Sequence, residues 1–448
     1  MMTLQIEIPP TSKSETPEEK LEFNWRQCWY PVCFVRDLPL DRPYSFSLYE
    51  EPFVIFKNKD EQLVCLTDRC PHRAARLSDG QVIDGKIECS YHGWQFGADG
   101  QCLHIPQLPA DAKIPVNACV SSFKIVEHQG IVWMWADENE TAVDDIIPTI
   151  EDLEKPEIVI IDYMRDLPYS QSYFIENVID PAHIPISHDG VMGNREDAQP
   201  LEMEVIESSY QGIHGRYKKI RTPNQSWNLL DFIAPNLIIY QIKIEQRGWF
   251  GGIALYSIPL GKDKCRILLR NYGNFFDWKI KYAPRWLDHI LLRNKILEGD
   301  LQLVVQQQAQ VERLGKNLKE IYLPLKTSDT LVLEYRKWLD KFGASLPFYQ
   351  GYSSTKNMSL DDLKQNLTSQ DRFLQHTQIC SSCNQAYQVT NQLKSTFIGV
   401  AIALASGAIL VDDYPLKIAT VSAALVSVGL AVIAQKIKIQ FERSYTRH

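Results

Sequence analysis

From Trp29 to about Asp137, short apolar runs are broken by Pro, Gly and Asp, as at Pro52 and in the pairs Asp79-Gly80, Asp84-Gly85 and Asp99-Gly100. Runs of strand length bounded by turn residues predict a small all-β domain. Between about Met203 and Tyr272 the runs are rich in β-branched and aromatic residues, as in Leu237 to Ile242 and Trp249 to Tyr256, which predicts antiparallel strands. From Trp278 to about Leu314, apolar residues recur three and four apart with little Gly or Pro, the period of a helix packed on one face. The fold class expected is therefore α+β: an all-β domain followed by an antiparallel sheet backed by helices, helix-grip-like in outline.

The tail has another pattern. Thr396 to Val411 and Ile418 to Gln435 are apolar without a charged residue, and Asp412 to Lys417 separates them. A helix needs about 20 residues, at about 1.5 Å each, to cross a hydrocarbon core about 30 Å thick. These segments are slightly short, so snorkelling of Lys417 or local thinning would complete a span. A buried or re-entrant hairpin is the alternative. Lys394 precedes the pair and Lys436, Lys438 and Arg443 follow it, which places both ends on the cytoplasmic side. The expected order is a disordered leader over 1–24, an all-β domain over 25–140, a catalytic domain over 141–345, a polar linker over 346–393 and a two-helix membrane anchor over 394–448. The acidic stretch Asp137 to Asp145 marks the first domain boundary.

A net charge of -8 over 448 residues gives no broad basic surface, which argues against a nucleic acid partner. The first residues lack an apolar signal region and carry Glu7, Glu15, Glu18 and Glu19, unlike Arg-rich transit peptides. Ten cysteines are too few for a disulfide scaffold in a chain this long, so a reducing compartment fits.

Two of those cysteines sit in paired motifs, Cys70-Pro71-His72-Arg73 and Cys89-Ser90-Tyr91-His92-Gly93-Trp94. Two Cys and two His can bind zinc, but zinc sites usually begin C-x₂₋₄-C with like ligands together, whereas each short loop here offers one thiolate and one imidazole. That mixture suits a [2Fe-2S] cluster with two cysteines on one iron and two histidines on the other, a mild one-electron relay. Here the chain resembles the Rieske family, and Gly130 to Trp135 resembles its closing strand. Cys28, Cys33, Cys65, Cys102, Cys119 and Cys265 read as small buried residues.

A second constellation is Glu176-Asn177-Val178-Ile179-Asp180-Pro181-Ala182-His183-Ile184-Pro185-Ile186-Ser187-His188. Histidines five apart lie roughly 140° apart on a regular helix, so they do not share a face. Pro185 disfavours helix at Ile184 and is expected to bend His188 back toward a metal that His183 also meets. Two His and one carboxylate on one face of Fe(II) leave positions open for O₂ and substrate. Asp180 and Asp189 are the nearest acids. The motif, however, resembles the N-x-x-D-x-x-H-x₄-H of Rieske oxygenases, which implies that the carboxylate comes from a later helix. Asp300 is assigned to that role, with Glu298 the competitor. The resemblance also implies head-to-tail trimers in which His92 of one subunit reaches Asp180 and His183 of the next. Asn177 would support the site or cap a helix N-terminus.

Cys380-Ser381-Ser382-Cys383 is a C-x-x-C, suited to a reversible disulfide or half a metal site. No second pair follows it, and its place before the apolar segments would expose it to soluble redox partners. The run from Asp371 to Asn384 resembles the plant-type branch of Rieske oxygenases, which includes pheophorbide a oxygenase and the Rieske components of the chloroplast import translocon. The resemblance implies a membrane-anchored protein, of thylakoid or plasma membrane; the chain departs from plant members in lacking a recognisable transit peptide, which suggests a cyanobacterial relative and puts the plant substrate in doubt. It would use O₂ and ferredoxin electrons to oxygenate a chlorophyll-type tetrapyrrole. Trp227, Phe232, Tyr240, Trp249, Phe250 and Tyr256 would line an apolar cavity for it. Another lipophilic substrate, or a redox-sensing role built on Cys380 and Cys383, are the rival readings.

Overall fold

The computed structural model describes residues 23–443 apart from 40, 139–141, 143–145, 223–225, 245–246, 277 and 357–370. The leader up to residue 22 and most of the acidic boundary lie outside the described residues. Phe23, expected within the leader, is instead buried against Trp338 with ring centroids 5.4 Å apart.

The first part is all β. A three-stranded sheet pairs Trp29–Phe34 and Ile125–His128 with the central Ile131–Trp135. Two four-stranded sheets follow, one running through Tyr44–Leu48, Glu51–Lys57, Leu63–Thr67 and Ser122–Phe123, the other through Gln81–Ile83, Lys86–Glu88, Gln95–Phe96 and Cys102–His104. One Cys/His loop leads from Leu63–Thr67 of the first into the second and the other joins Lys86–Glu88 to Gln95–Phe96, both beside a small apolar core that includes Leu77, Ile87 and Phe96.

The second part is a seven-stranded antiparallel sheet. Val159–Leu167 lies at one edge, followed by Lys264–Gly273, Trp249–Gly261, Leu237–Ile244, Asn228–Ile233, Gly212–Lys219 and Leu201–Ser209. Successive side chains of a strand point to opposite faces, and the first strand shows what each face meets. Asp162 and Asp166 turn toward the all-β part and pair across the ladder with Arg270 and Arg266 at 2.7 and 2.6 Å. Arg270 also donates to the Gln129 carbonyl at 2.6 Å, so the buried ion pairs tie the two parts together. Tyr163 and Arg165 turn the other way, toward the helix Asn294–Leu314, donating to Asn294 and Glu298 at 2.7 and 2.8 Å.

The same alternation overturns the expected aromatic cavity. By register, Phe232, Tyr240 and Trp249 share the helix side of the sheet, while Phe250 and Tyr256 lie on the other. Phe232 packs edge-on against Tyr335 and Trp338, Tyr256 packs on Trp133, and Trp227 sits under Arg216 and Lys218.

Helical residues appear where the spacing predicts them, with one interruption. After Trp278–Tyr282, Pro284 precedes Arg285–Asp288, a π-helical turn His289–Arg293 follows, and the chain continues as Asn294–Leu314. Gly315, at φ 60°, ends it in the left-handed conformation that a side chain resists.

The tail departs from expectation in two ways. The helices Ser381–Leu410 and Tyr414–Glu442 contain 30 and 29 residues, about 45 Å each at about 1.5 Å per residue, and are longer than the apolar segments within them. They pack through small residues, Ala401, Ala408, Ala424, Ala431 and Ala434, and leave Ile402, Ile409, Leu410 and Leu425 exposed. The hairpin is therefore not buried. Nor is the segment before it a free linker: Arg372, Gln375, His376 and Thr377 are all buried, in or next to a second π-helical turn, Phe373–Thr377.

Candidate metal centres

The two Cys/His loops share one backbone design. Cys70 N–H donates to the Ala75 carbonyl at 2.8 Å and Cys89 N–H to that of Trp94 at 2.9 Å, while Ala74 and Gly93 donate back to the Cys70 and Cys89 carbonyls at 2.9 Å. Ala74 and Gly93, the fourth residue after each cysteine, both have positive φ, 58° and 74°. Ala74 holds there a conformation that costs a non-glycine residue energy, because the turn must close around the cysteine. Both cysteines are buried, and burial pushes the Cys70 thiol up to about 11, with Cys89 adding to the rise.

The His72 and His92 rings lie 4.4 Å apart, and His72 stacks on Trp94 at 4.8 Å. His72 Nδ1 is buried with no hydrogen-bond partner. An orphaned imidazole nitrogen beside two buried thiols fits a [2Fe-2S] cluster, because metal bonds satisfy lone pairs for which no protein donor is present.

The second centre forms where three elements meet. The helix Gln171–Val178 ends before Asp180, and a one-turn helix Ile184–Ser187 has His183 and His188 at its two ends. The bend expected at Pro185 is absent: the proline lies in the first turn of that helix, where its missing N–H costs nothing. The histidines converge because the turn stops at His188, with φ -105° and ψ 23°. Asp300 comes from the long helix. Ile296 and Val304, four residues before and after it, are buried, so helical spacing turns Asp300 to the same covered face.

The donor atoms form a compact triangle. His183 Nε2 and His188 Nε2 are 3.3 Å apart, and Asp300 Oδ2 is 3.5 and 3.1 Å from them. Metal bonds of about 2.0–2.2 Å at right angles set neighbouring ligands about 3 Å apart, so the triangle fits one face of an octahedral ion. His183 Nδ1–H donates to the Asp180 carbonyl at 2.5 Å, turning Nε2 toward the triangle. His188 Nδ1 is buried without a partner.

Electrostatics agree. Burial would lower the His183 pKa, but hydrogen bonds and charge from Asp180 and Asp300 outweigh it and raise it to about 10. Burial likewise opposes ionisation of Asp300, yet the two histidines hold it well below the usual carboxylate range. The site calls for positive charge at its centre, which a metal supplies as the proton leaves.

The other acids are engaged elsewhere. Glu298 is fully buried and accepts from Arg165 at 2.8 Å and from Arg372 at 2.7 and 2.6 Å. Asp189 faces Arg195. Asp180 accepts from Ala182 N–H at 2.7 Å, with the rest of its carboxylate partly exposed. Asn177 sits in the last turn of its helix, not at an N-terminus.

Comparisons with known proteins give the family. The Rieske [2Fe-2S] domain matches residues 28–133, and the pheophorbide a oxygenase family matches residues 232–317. Protein TIC 55 of Pisum sativum is 34% identical over 95% of this chain and 82% of its own. The chain belongs to the Rieske oxygenase family. This Rieske oxygenase is also 32% identical to pheophorbide a oxygenase of Oryza sativa, over 95% of this chain and 85% of the relative. Its fold is shared with crystalline dicamba monooxygenase bound to dicamba, which matches 70% of the chain at 21% identity with a TM-score of 0.57. As a member it carries a [2Fe-2S] cluster and a mononuclear iron, and takes electrons from a ferredoxin-type donor to act with O₂.

The third motif is placed differently from expectation. Cys380 and Cys383 are almost wholly buried, which removes them from soluble redox partners, and two histidines that the sequence reading missed, His289 and His376, stand beside them. Of the remaining cysteines, Cys119 is exposed and Cys28 half-buried, contrary to the buried role expected.

Proposed function

We propose that this Rieske oxygenase oxygenates a chlorophyll-type tetrapyrrole. Cys70 and Cys89 would hold one iron of the cluster and His72 and His92 the other; His183, His188 and Asp300 would hold the mononuclear iron. The iron centres, when bound, supply single electrons and the activation of O₂. The protein's own part is placement. His183 is fixed by the Asp180 carbonyl, and His183, His188 and Asp300 would hold the ion with three donors, which would leave positions for O₂ and substrate. Glu298 is held by both Arg165 and Arg372, so Asp300 is the carboxylate left for the ion.

The observation that carries the substrate reading is the complete donor triangle in a chain alike over most of its length to a pheophorbide a oxygenase. In the proposed head-to-tail trimer, the exposed Tyr91 and half-buried His92 of one subunit meet the partly exposed carboxylate of Asp180 in the next. An ionised carboxylate between two metal-bound imidazoles accepts a strong hydrogen bond from each and shortens the electron path. Asn177 lies one turn before Asp180 and would steady that end of the helix. The hairpin would anchor the protein in a membrane with both ends on the catalytic side, since Arg372 bonds the Gln440 carbonyl and Phe441 is buried beside Trp286.

The test is incubation of pheophorbide a and chlorophyllide a with the full-length protein, reduced ferredoxin and ¹⁸O₂. The expected result is a shifted visible spectrum with ¹⁸O in the product, lost in Asp300→Asn. Unaltered pigments, in a preparation whose iron binds nitric oxide, would defeat the substrate assignment.

A further inference from the structure

Among the described residues, one cluster of chemically capable side chains outside the two family centres is left without a role. His289, His376, Cys380 and Cys383 are all buried, and one ligand atom from each lies within 4.8 Å of the others. Three pieces of chain supply them. His289 opens the π-helical turn ahead of the iron-site helix, His376 lies in the second π-helical turn, and the cysteines flank the first turn of the tail hairpin. π-Turns are rare and concentrate at functional sites, and both imidazoles here come from one.

The spacing is that of a coordination shell. His289 Nδ1 is 3.3 Å from Cys383 Sγ and 3.7 Å from Cys380 Sγ, and His376 Nε2 is 3.2 Å from Cys383 Sγ. Zinc bonds of about 2.3 Å to sulfur and about 2.0–2.1 Å to nitrogen, at the tetrahedral angle, set sulfur–nitrogen edges of about 3.5 Å.

The far side of each ring is already fixed. His289 Nε2–H donates to the Asp162 carbonyl at 2.9 Å and His376 Nδ1–H to the Met164 carbonyl at 2.6 Å. Each inward nitrogen is thereby left with its lone pair, the arrangement that orients metal-bound histidines. Against these lone pairs the thiols offer only weak S–H donors.

Two thiolates with a divalent ion are together neutral, the one charge state that a fully buried site tolerates cheaply. Four protein ligands with no open position make a structural centre, not a catalytic one.

We propose that His289, His376, Cys380 and Cys383 hold a structural zinc ion that clamps the base of the tail hairpin to the catalytic body. Binding releases two thiol protons to solvent and involves no electron transfer. The ion joins the hairpin to the strand Val159–Leu167 and to the helix that carries Asp300, so it fixes hairpin and iron site in one frame.

The test is metal analysis of the full-length protein purified without chelator. The expected content is about three iron and about one zinc per chain, the zinc being additional to the cluster and mononuclear iron. The double variant His376→Ala/Cys383→Ser should lose the zinc and keep the iron, and His289→Cys should keep both. His188→Ala should retain zinc, which separates this site from zinc misplaced at the iron triangle. Because loss of buried ligands can unfold the hairpin base, wild-type protein grown on cobalt provides a second readout, the visible bands of tetrahedral thiolate-bound cobalt. The proposal is overturned by wild-type protein free of zinc, by a Cys380–Cys383 disulfide in protein purified under reducing conditions, by a fourth iron in place of zinc, or by zinc retained in the double variant.

Discussion

Glu298→Gln and Asp300→Asn change carboxylates two residues apart on one helix, and the structure expects opposite consequences. Glu298 lies between Arg165 and Arg372 with bonds of 2.8, 2.7 and 2.6 Å, all fully buried. The amide leaves two buried guanidinium groups with no counter-charge. Removing one partner of a buried ion pair costs about 3–5 kcal/mol, a large part of the roughly 5–15 kcal/mol by which a domain is folded. Asp300 instead faces His183 and His188, and Asp300→Asn removes a metal donor without stranding a cation. Thermal denaturation and nitric oxide EPR, run in parallel, separate the two. Glu298→Gln should lower the melting temperature sharply while the protein folded at low temperature still gives the ferrous nitrosyl signal. Asp300→Asn should melt near wild type, keep the cluster and lose that signal. The reverse pattern, a stable Glu298→Gln without mononuclear iron and an Asp300→Asn that retains it, would refute the assignment of the triangle.

His188→Ala should lose about one iron per chain while the reduced cluster keeps its EPR signal, since the cluster has its own four ligands. Asp180→Asn should keep both metals yet turn over about 10–100-fold more slowly, as outer-shell partners typically act, measured as oxygen uptake with reduced ferredoxin. Asp37, buried, accepts from Arg285 at 2.8 and 3.1 Å and from Ser381 N–H at 2.9 Å; burial opposes its ionisation, but these partners hold its carboxyl below the usual range. Asp37→Asn should therefore loosen the hairpin base by about 1.5–3 kcal/mol in hydrogen exchange. A lowered folded pKa stabilises fully above the unfolded value of about 4 and ceases to do so as pH falls through the folded one, so wild type and variant should converge in acid.

Legibility followed distance along the chain. The cluster loops were readable because each packs a thiolate and an imidazole within a few residues, and the antiparallel strands because β-branched runs announce themselves. Asp300 was recoverable only through family resemblance, although its position on a buried helical face agrees with Ile296 and Val304. Pro185 was misread because a proline in the first turn of a helix and one that breaks a helix look alike until the helix is known to be one turn long. The aromatic cavity failed on strand register, which sends Phe232 and Tyr256 to opposite faces. His289 and His376 had no readable signal: each is a lone histidine, the first among apolar residues and the second between Gln375 and Thr377, and only the π-turns and the docking of the hairpin bring them to the C-x-x-C.

The length of the paired tail helices sets a height. Each measures about 45 Å, whereas a hydrocarbon core takes up about 30 Å. In the proposed membrane setting roughly 15 Å of each rod remains outside the core, and the body rides on two stilts gripped at the top by Asp37 and by Phe441. Part of that length is taken up where Cys383, Ala386 and Tyr387 pack on Trp286 and Ile290; the remainder would leave a soluble electron donor some clearance beneath the body and would require a lipophilic substrate to leave the lipid before use. Deleting a turn from both rods would lower the deck and should speed pigment capture from vesicles at the expense of electron delivery.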